Sequence, residues 1–431
     1  MAYEKIVIKA APHLRGEVTV PGDKSISHRA IILGSLSQGK ILVSGLSSGE
    51  DNRRTVKMFE QLGVAIRKRN KTDYLIQGRG LTGLREPHSI LYAGNSGTTM
   101  RLMLGVLSGQ QFFSVMSGDL SLNARPMKRV VEPLRLMGAR ISGRDDGNLA
   151  PLAISGTRLH AIQYHLPIAS AQVKSALLLA GFYADGTTVV YEPVASRDHT
   201  ERMLRFLGVP LHSADGSMSI SGGSVMQGDR IEIPGDISSA AFLIVAGLLV
   251  GNAEVLVRKV GINPTRTGFL DILKKMGATY EILNHREISG EPVADIAVRT
   301  SRLKGVEIGG SLIPRTIDEI PILAVAAACA EGTTVIRDAK ELRVKESDRI
   351  AALCAELKKF GVAVNELEDG MVIRGTETLV GAVCNSHGDH RIAMAMVIAG
   401  LCARGETVVE DCACIKTSFP EFMDCLQSLM R

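Results

Sequence analysis

Two Pro-Gly-Asp segments each open a long apolar run, and only the first is followed by cations. Pro21-Gly22-Asp23 leads into Lys24-Ser25-Ile26-Ser27-His28-Arg29, whereas Pro234-Gly235-Asp236 leads into Ile237-Ser238-Ser239-Ala240-Ala241-Phe242. At the common offset of 213 positions, Lys24 aligns with Ile237 and Arg29 with Phe242. A repeat kept only for folding has no use for a Lys and an Arg at one helix entrance. Unpaired N–H groups and the helix dipole already draw anions there. The first copy therefore reads as an anion site built on a duplicated scaffold.

Other segments carry the same chemistry. Gly94-Asn95-Ser96-Gly97-Thr98-Thr99-Met100-Arg101 opens another helix with small residues whose N–H groups can approach an anion. Ala169-Ser170-Ala171-Gln172-Val173-Lys174-Ser175 offers hydroxyl, amide and ammonium groups at one turn, and Asp389-His390-Arg391 brings an Arg to a helix start. A capped helix with a snorkelling cation is the plain alternative for each alone, and their recurrence at equivalent places favours the anion reading. Asn123-Ala124-Arg125-Pro126-Met127 places an Arg before a Pro expected in a first helical turn. Ser196-Arg197-Asp198-His199-Thr200-Glu201 is a further polar entrance. Arg343-Val344-Lys345-Glu346-Ser347-Asp348-Arg349 puts three cations at an expected helix start, where the dipole disfavours them and something anionic must compensate. Thr316-Ile317-Asp318-Glu319-Ile320-Pro321 supplies carboxylates before a buried helix, with Asp318 either functional or an N-cap. His28, His199 and His390 read as structural.

The elements that hold these residues repeat. A helix ending in a hydrophobic-Gly-small step turns into a strand at Leu62-Gly63-Val64, Met137-Gly138-Ala139, Leu207-Gly208-Val209, Met276-Gly277-Ala278 and Phe360-Gly361-Val362, at intervals of 75, 70, 69 and 84 residues. Each Gly suits the left-handed position after a helix C-terminus. Ahead of each step, an uncharged helix, a β-branched strand and a more charged helix follow in order, which predicts buried first helices and outer second ones. A sixth unit starts at Gly388-Asp389-His390 and is cut short. Units this long are small α/β subdomains. Three fall between the Pro-Gly-Asp copies and three after, which predicts two pseudo-equivalent domains, joined near residues 22 and 236 by a two-crossing hinge with a cleft between.

Composition narrows the function classes. Hydrophobic residues at 45% and charged residues at 22% of 431 describe a globular chain of two to three domains. Fifty Lys and Arg against 45 Asp and Glu give only +5, and aromatics are 4% with no Trp, which argues against nucleic acid as a partner. The seven Cys, an odd number scattered from Cys329 onward, predict a reducing compartment. Cys412-Ala-Cys414 lacks a second pair of ligands at metal spacing, so no metal is expected. No signal or transit segment is visible, and the uncharged stretch from Ile237 to Ala253 falls short of the ~20 apolar residues of a membrane span. The expectation is a cytoplasmic protein, off the membrane, and a monomer.

These segments together resemble the 3-phosphoshikimate 1-carboxyvinyltransferase (EPSP synthase) family. Pro21 to Arg29, Gly94-Asn95-Ser96-Gly97-Thr98, Arg125-Pro126-Met127, Arg343 to Arg349, Asp389-His390-Arg391 and Lys416-Thr417-Ser418-Phe419-Pro420 match it in order over nearly the whole chain. Ser170 to Lys174, Arg197 to Glu201 and Asn263-Pro264-Thr265-Arg266 are similar to its second subclass. Against the other subclass, Ala171 stands for a second phosphate-binding Ser, Arg197-Asp198-His199 for a Lys-Pro-Tyr-like stretch, and Glu341 for an Asn. The resemblance implies an α/β fold of two domains, 23–236 and 1–22 with 237–431, each three βαβαββ units around a pseudo-threefold, with the N-terminal strand returning to the second. It implies transfer of the enolpyruvyl group of phosphoenolpyruvate to the 5-hydroxyl of shikimate 3-phosphate, without a cofactor.

By resemblance, Lys24, Gly97, Arg125, Gln172, Arg349, Arg391 and Lys416 surround phosphoenolpyruvate. Lys24, Ser25, Arg29, Ser170, Gln172, Arg197, Asp318 and Lys345 surround shikimate 3-phosphate. Asp318, Glu346 and Lys24 are the implied proton-transfer groups. Two substrates with a phosphate and a carboxylate each call for fork-shaped Arg partners. The resemblance also implies glyphosate as an inhibitor at the phosphoenolpyruvate site. Tolerant second-subclass members carry Ala where Gly97 stands, so this chain is expected to be sensitive. The related UDP-N-acetylglucosamine enolpyruvyl transferase typically bears a loop Cys, and none occurs before Cys329. RNA 3′-phosphate cyclase shares a similar unit, but its His context is missing. A phosphometabolite-binding protein without catalysis is the other alternative, disfavoured because both carboxylates and the main cations are present.

Overall fold

Helix-ending glycines set the frame of the chain. In the computed structural model, which describes residues 4–214 and 216–431, Gly63, Gly138, Gly208, Gly277 and Gly361 have φ of 86°, 95°, 80°, 85° and 83°. An L side chain is strained there, so glycine stops each helix and turns the chain toward a strand. The helices they end are Glu50–Gln61, Lys128–Leu136, His199–Phe206, Gly268–Lys275 and Arg349–Lys359.

The chain divides into two units, Lys24–Ile233 with Ile288–Glu291, and Met1–Asp23 with Pro234–Glu287 and Pro292–Arg431. The expected breaks at 22/23 and 236/237 fall instead at 23/24 and 233/234, and residues 1–3 of the expected second domain lie outside the described ones. The shift has a local cause. Asp23 N donates to Pro234 O at 2.8 Å, Asp236 N donates to Pro21 O at 2.9 Å, and Gly22 and Gly235 form an antiparallel bridge. Both Pro-Gly-Asp segments are thus tied to each other, and to one unit. Residues 288–291, expected in the second domain, group with the first, where Ser289 Oγ accepts from Glu232 N at 2.9 Å and His199 Nδ1 lies 2.7 Å from Glu291 Oε1.

In the first unit one sheet plan occurs three times. Strand Gln38–Ser44 has Arg230–Glu232 parallel on one side and Tyr74–Arg79 antiparallel on the other, with Ala65–Lys68 beyond. Phe113–Ser117 is flanked in the same way by Leu91–Tyr92, Leu149–Ser155 and Arg140–Gly143. Thr187–Tyr191 is flanked by Gln163–His165, Ser217–Ser221 and His212–Ala214. The second unit repeats the plan around Glu254–Gly261 and Thr333–Ile336. Among the described residues its third sheet is a strand short. Glu406–Glu410 has Val383–Asn385 parallel on one side, and the antiparallel neighbour is Lys5–Lys9 from the other end of the chain. The cut-short sixth unit is completed by the N-terminal strand.

Each unit has its own core, built on three mostly apolar helices whose charged residues lie in their first two turns. Lys24–Leu36, Gly97–Ser108 and Ala171–Gly181 serve the first, and Ile237–Leu249, Ile320–Ala328 and His390–Cys402 the second. Every residue of Ile320–Ala328 is buried. Burying one Leu or Ile side chain is worth about 1.5–3 kcal/mol, so these helices dominate the cores. Helices this deeply buried present their polar groups mainly in the first two turns.

Candidate active site

In the first unit the three buried helices begin at the expected residues. Lys24 Nζ lies 3.2 Å from Asp51 Oδ2, with both side chains mostly buried, and Asn52 Nδ2 donates to Lys24 O at 3.0 Å. Ser25 is half-buried beside it. Arg29 is buried, donating Nε to Thr200 Oγ1 at 2.6 Å, Nη2 to Ser175 Oγ at 2.8 Å and Nη1 to Ser25 O at 3.0 Å. It ties three helices together.

At the second entrance Ser96 caps helix Gly97–Ser108 by accepting from Thr99 N at 3.1 Å. Arg125 donates Nη2 to Asn95 Oδ1 at 2.6 Å and to Ser121 Oγ at 3.1 Å, and Nη1 to Asn95 O at 3.3 Å. A Cβ on Gly97 would sit 3.2 Å from Arg101 Nη1 and 3.6 Å from Arg125 Nη1. Two guanidinium groups therefore converge on this glycine. Gln172 bridges to the same place. Its Oε1 accepts from Arg101 Nη1 at 2.6 Å, and its Nε2 donates to Thr98 Oγ1 at 3.0 Å. Arg101 is absent from the expected contact set. Its position one helical turn after Gly97, on the same face, is the signal in the sequence that points to it. Ser170 caps helix Ala171–Gly181 through Val173 N at 3.5 Å, and Arg197 is half-buried in the loop before helix His199–Phe206.

Lys174 corrects the reading of the third entrance. Its ammonium points into the protein, 2.6 Å from both Glu192 Oε2 and Glu201 Oε1. Burial alone would lower its pKa, but Glu201 and Glu192 more than offset this and raise it. Pro126 differs too. Helix Lys128–Leu136 starts after Met127, whose N donates to Asn148 O at 2.7 Å, so Pro126 precedes the helix.

In the second unit one guanidinium organises the charges. Arg349 is buried, donating Nη2 to Glu346 Oε2 at 2.6 Å, Nε to Asp389 Oδ2 at 2.8 Å and Nη1 to Asp318 Oδ1 at 3.4 Å. Its pKa is raised, since these carboxylates overcome the effect of burial. Arg391 Nη1 donates to the Asp318 carbonyl at 2.9 Å, and its Nη2 lies 3.8 Å from Asp318 Oδ2. Asp389 caps helix His390–Cys402 by accepting from Arg391 N at 2.9 Å, and also accepts from Ser347 Oγ at 3.3 Å. The half-buried Lys345 has its pKa lowered by burial, against the pull of Asp318 and Glu341. Lys416 is half-buried in the 3-10 helix Cys412–Thr417.

Two expectations about these loops change. Asp318 is no N-cap. Glu319 holds that position for helix Ile320–Ala328, and its side chain instead accepts from Ser238 Oγ and lies 3.6 Å from Arg266 Nη2. The basic segment is not one helix start either. Lys340–Val344 is a 3-10 helix, and the α-helix begins at Arg349, capped by Asp348 through Ala351 N at 3.1 Å. The compensating anions are the protein's own, because Asp348 and Glu366 also hold Arg343 at 2.7 and 2.9 Å.

Among the described residues, no group of three His, Cys, Asp or Glu side chains is arranged to hold a metal ion, and no helix is long and apolar enough to cross a membrane. All seven cysteines are free.

Repeated α/β units with cations at the starts of buried helices and two carboxylates on one guanidinium suit an enzyme of small anionic substrates. Residues 8–426 match the family model of EPSP synthase (3-phosphoshikimate 1-carboxyvinyltransferase), and the chain belongs to that family. It is 57% identical over 423 residues to the 3-phosphoshikimate 1-carboxyvinyltransferase of Geotalea uraniireducens, covering 98% of both chains. It is 57% identical over 421 residues to that of Geotalea daltonii, again covering 98% of each. The solved EPSP synthase from Acinetobacter baumannii superimposes with a TM-score of 0.88 at 45% identity, over 99% of this chain and 98% of that one. The two-domain EPSP synthase fold is therefore the fold of this chain.

Proposed function

We infer that this chain transfers the enolpyruvyl group of phosphoenolpyruvate to the 5-hydroxyl of shikimate 3-phosphate and releases phosphate, a step of the shikimate pathway toward chorismate and the aromatic amino acids. The observation that carries the reading is Arg349, whose one buried guanidinium holds both Asp318 and Glu346. Two carboxylates fixed on one cation suit a reaction that moves protons beside anionic substrates.

The bookkeeping of bonds is simple. The hydroxyl oxygen bonds to C2 of phosphoenolpyruvate as its proton goes to a base and the methylene carbon gains a proton from an acid. The C2–O bond to phosphate then breaks, and the new methyl group returns one proton. Asp318 is assigned the hydroxyl proton, and Glu346 the carbon, with Lys24 as a further donor. Arg125, Arg349, Arg391, Lys416, Gln172 and the backbone at Gly97 are assigned to phosphoenolpyruvate. Ser25, Arg29, Ser170, Gln172, Arg197 and Lys345 are assigned to shikimate 3-phosphate, beside Lys24 and Asp318. Support comes from the clustering of Arg101, Arg125 and Gln172 at Gly97, and of Arg391 and Asp318 at Arg349. The protein acts as a cytoplasmic monomer, away from nucleic acid and membranes, and glyphosate competes with phosphoenolpyruvate. Phosphate release that needs shikimate 3-phosphate and is not supported by UDP-N-acetylglucosamine tests the assignment. Release with the nucleotide sugar alone would overturn it.

A further inference from the structure

The buried ammonium of Lys174 joins two points of the chain on either side of Arg197. Glu192 follows strand Thr187–Tyr191, and Glu201 lies in the first turn of helix His199–Phe206. Lys174 Nζ is 2.6 Å from a carboxylate oxygen of each, with side-chain exposures of 3% for Lys174, 11% for Glu192 and 1% for Glu201. The segment 193–198 between them begins with exposed Pro193, Val194 and Ala195 and ends at half-buried Arg197 and Asp198. Ser196 Oγ closes it further by donating to Glu192 Oε1. Beyond the segment, Arg29 Nε grips Thr200 Oγ1 at 2.6 Å. Lys174 also belongs to the helix that presents Ser170 and Gln172.

We propose that Lys174 is a positioning residue for Arg197, fastening both stems of the segment 193–198 to the helix that carries Ser170 and Gln172, and so setting the affinity for shikimate 3-phosphate. The proposal rests on the reading of Arg197 as a contact of that substrate. Without the ammonium, two buried carboxylates face each other and repel, and the stems part. An arginine on a loosened loop must be ordered at the moment of binding, and that cost weakens affinity without touching the reacting atoms.

The test is a double-mutant cycle in the full chain, with shikimate 3-phosphate binding measured by calorimetry. Arg197→Ala is expected to weaken binding about 10- to 100-fold, the range for a hydrogen bond to a charged group. Lys174→Met is expected to weaken it about 5- to 20-fold, and the double variant to bind like Arg197→Ala alone, because Lys174 acts through Arg197. Turnover at saturating substrate stays within about threefold for Lys174→Met, and Lys174→Arg, whose fork can span both carboxylates, restores most of the affinity. Losses that multiply in the double variant, or wild-type affinity in Lys174→Met, overturn the proposal. Wild-type affinity in Arg197→Ala overturns the reading of Arg197 beneath it, and the two failures are thereby distinguished. If Lys174→Met does not fold, Glu192→Gln, which keeps the Lys174–Glu201 pair, takes its place. Coupling to Arg197→Ala then supports the proposal, and additivity or no effect overturns it.

Discussion

Arg349 donates Nε to Asp389 Oδ2 at 2.8 Å, with the two side chains 1% and 0% exposed. The same carboxylate caps helix His390–Cys402 through Arg391 N. One side chain therefore starts a helix and aims a guanidinium. Breaking a buried pair by removing one partner costs about 3–5 kcal/mol, because the survivor is left uncompensated. Arg349 keeps Glu346 and Asp318, so Asp389→Ala should lower the unfolding free energy by less than that, about 2–3 kcal/mol with the lost helix cap included, and reduce turnover even at temperatures where the protein stays folded. Denaturant melts and steady-state rates on the same preparation check both parts. A stable but fully active variant would show that Arg349 does not need Asp389.

Asp318 is gripped through its carbonyl by Arg391 and through its carboxylate by Arg349. Asp318→Asn keeps the shape and the carbonyl contact while removing the ability to accept a proton. Turnover at saturation should fall by roughly 10²–10⁴-fold, with little change in shikimate 3-phosphate affinity. Lost affinity with an intact rate would reassign Asp318 to substrate positioning.

Gly97 has no strained backbone angle, so alanine is tolerated by the chain itself, but its methyl would meet Arg101 Nη1 at 3.2 Å. The guanidinium must yield, and with it the Gln172 contact it makes. Overpacking by one methyl costs ~1–3 kcal/mol, equivalent to roughly one to two orders of magnitude in affinity. Gly97→Ala should raise the inhibition constant for glyphosate more than the Michaelis constant for phosphoenolpyruvate, starting from a sensitive wild type. Inhibition kinetics against varied phosphoenolpyruvate measure the ratio, and equal shifts in both constants would count against the crowding argument.

Asp236, of the second Pro-Gly-Asp, has a carboxyl pushed up to about 6 by burial and then by Asp23, against Arg266, Arg391 and its bond from Ser238 N. The folded protein binds this proton more tightly than the unfolded chain, so between about pH 4 and 6 the group's contribution to stability falls as pH rises. The slope is of the order of 1 kcal/mol per pH unit, and the loss is constant above that window. Relative to Asp236→Asn, the wild type should lose melting temperature from pH 4 to 6 and then run parallel. A constant difference across the range would mean that Arg266 keeps Asp236 ionised throughout.

Much of the architecture was legible because it is local. A glycine after a helix, a β-branched strand and a mostly apolar helix each follow from steric and solvation preferences of neighbouring residues, and their recurrence marks the repeat without reference to any contact. The helix entrances at Lys24, Gly97, Ala171 and His390 were legible for the same reason, since a buried helix leaves only its end for polar groups. Partnership was not legible. Lys174 and Gln172 stand two residues apart on one helix, yet one ammonium is buried between Glu192 and Glu201 while the amide bridges Arg101 and Thr98. Asp318 and Glu319 are adjacent, yet one meets Arg349 and the other Ser238 and Arg266. Residue order alone is enough to place where charges gather and which repeat carries them. Which charges neutralise one another follows from the packing of elements, because partners lie on other elements of the same repeat, as for Lys174 with Glu192 and Glu201, or on another repeat, as for Gln172 with Arg101, and a rotation of one residue along a helix sends a side chain to a different neighbour.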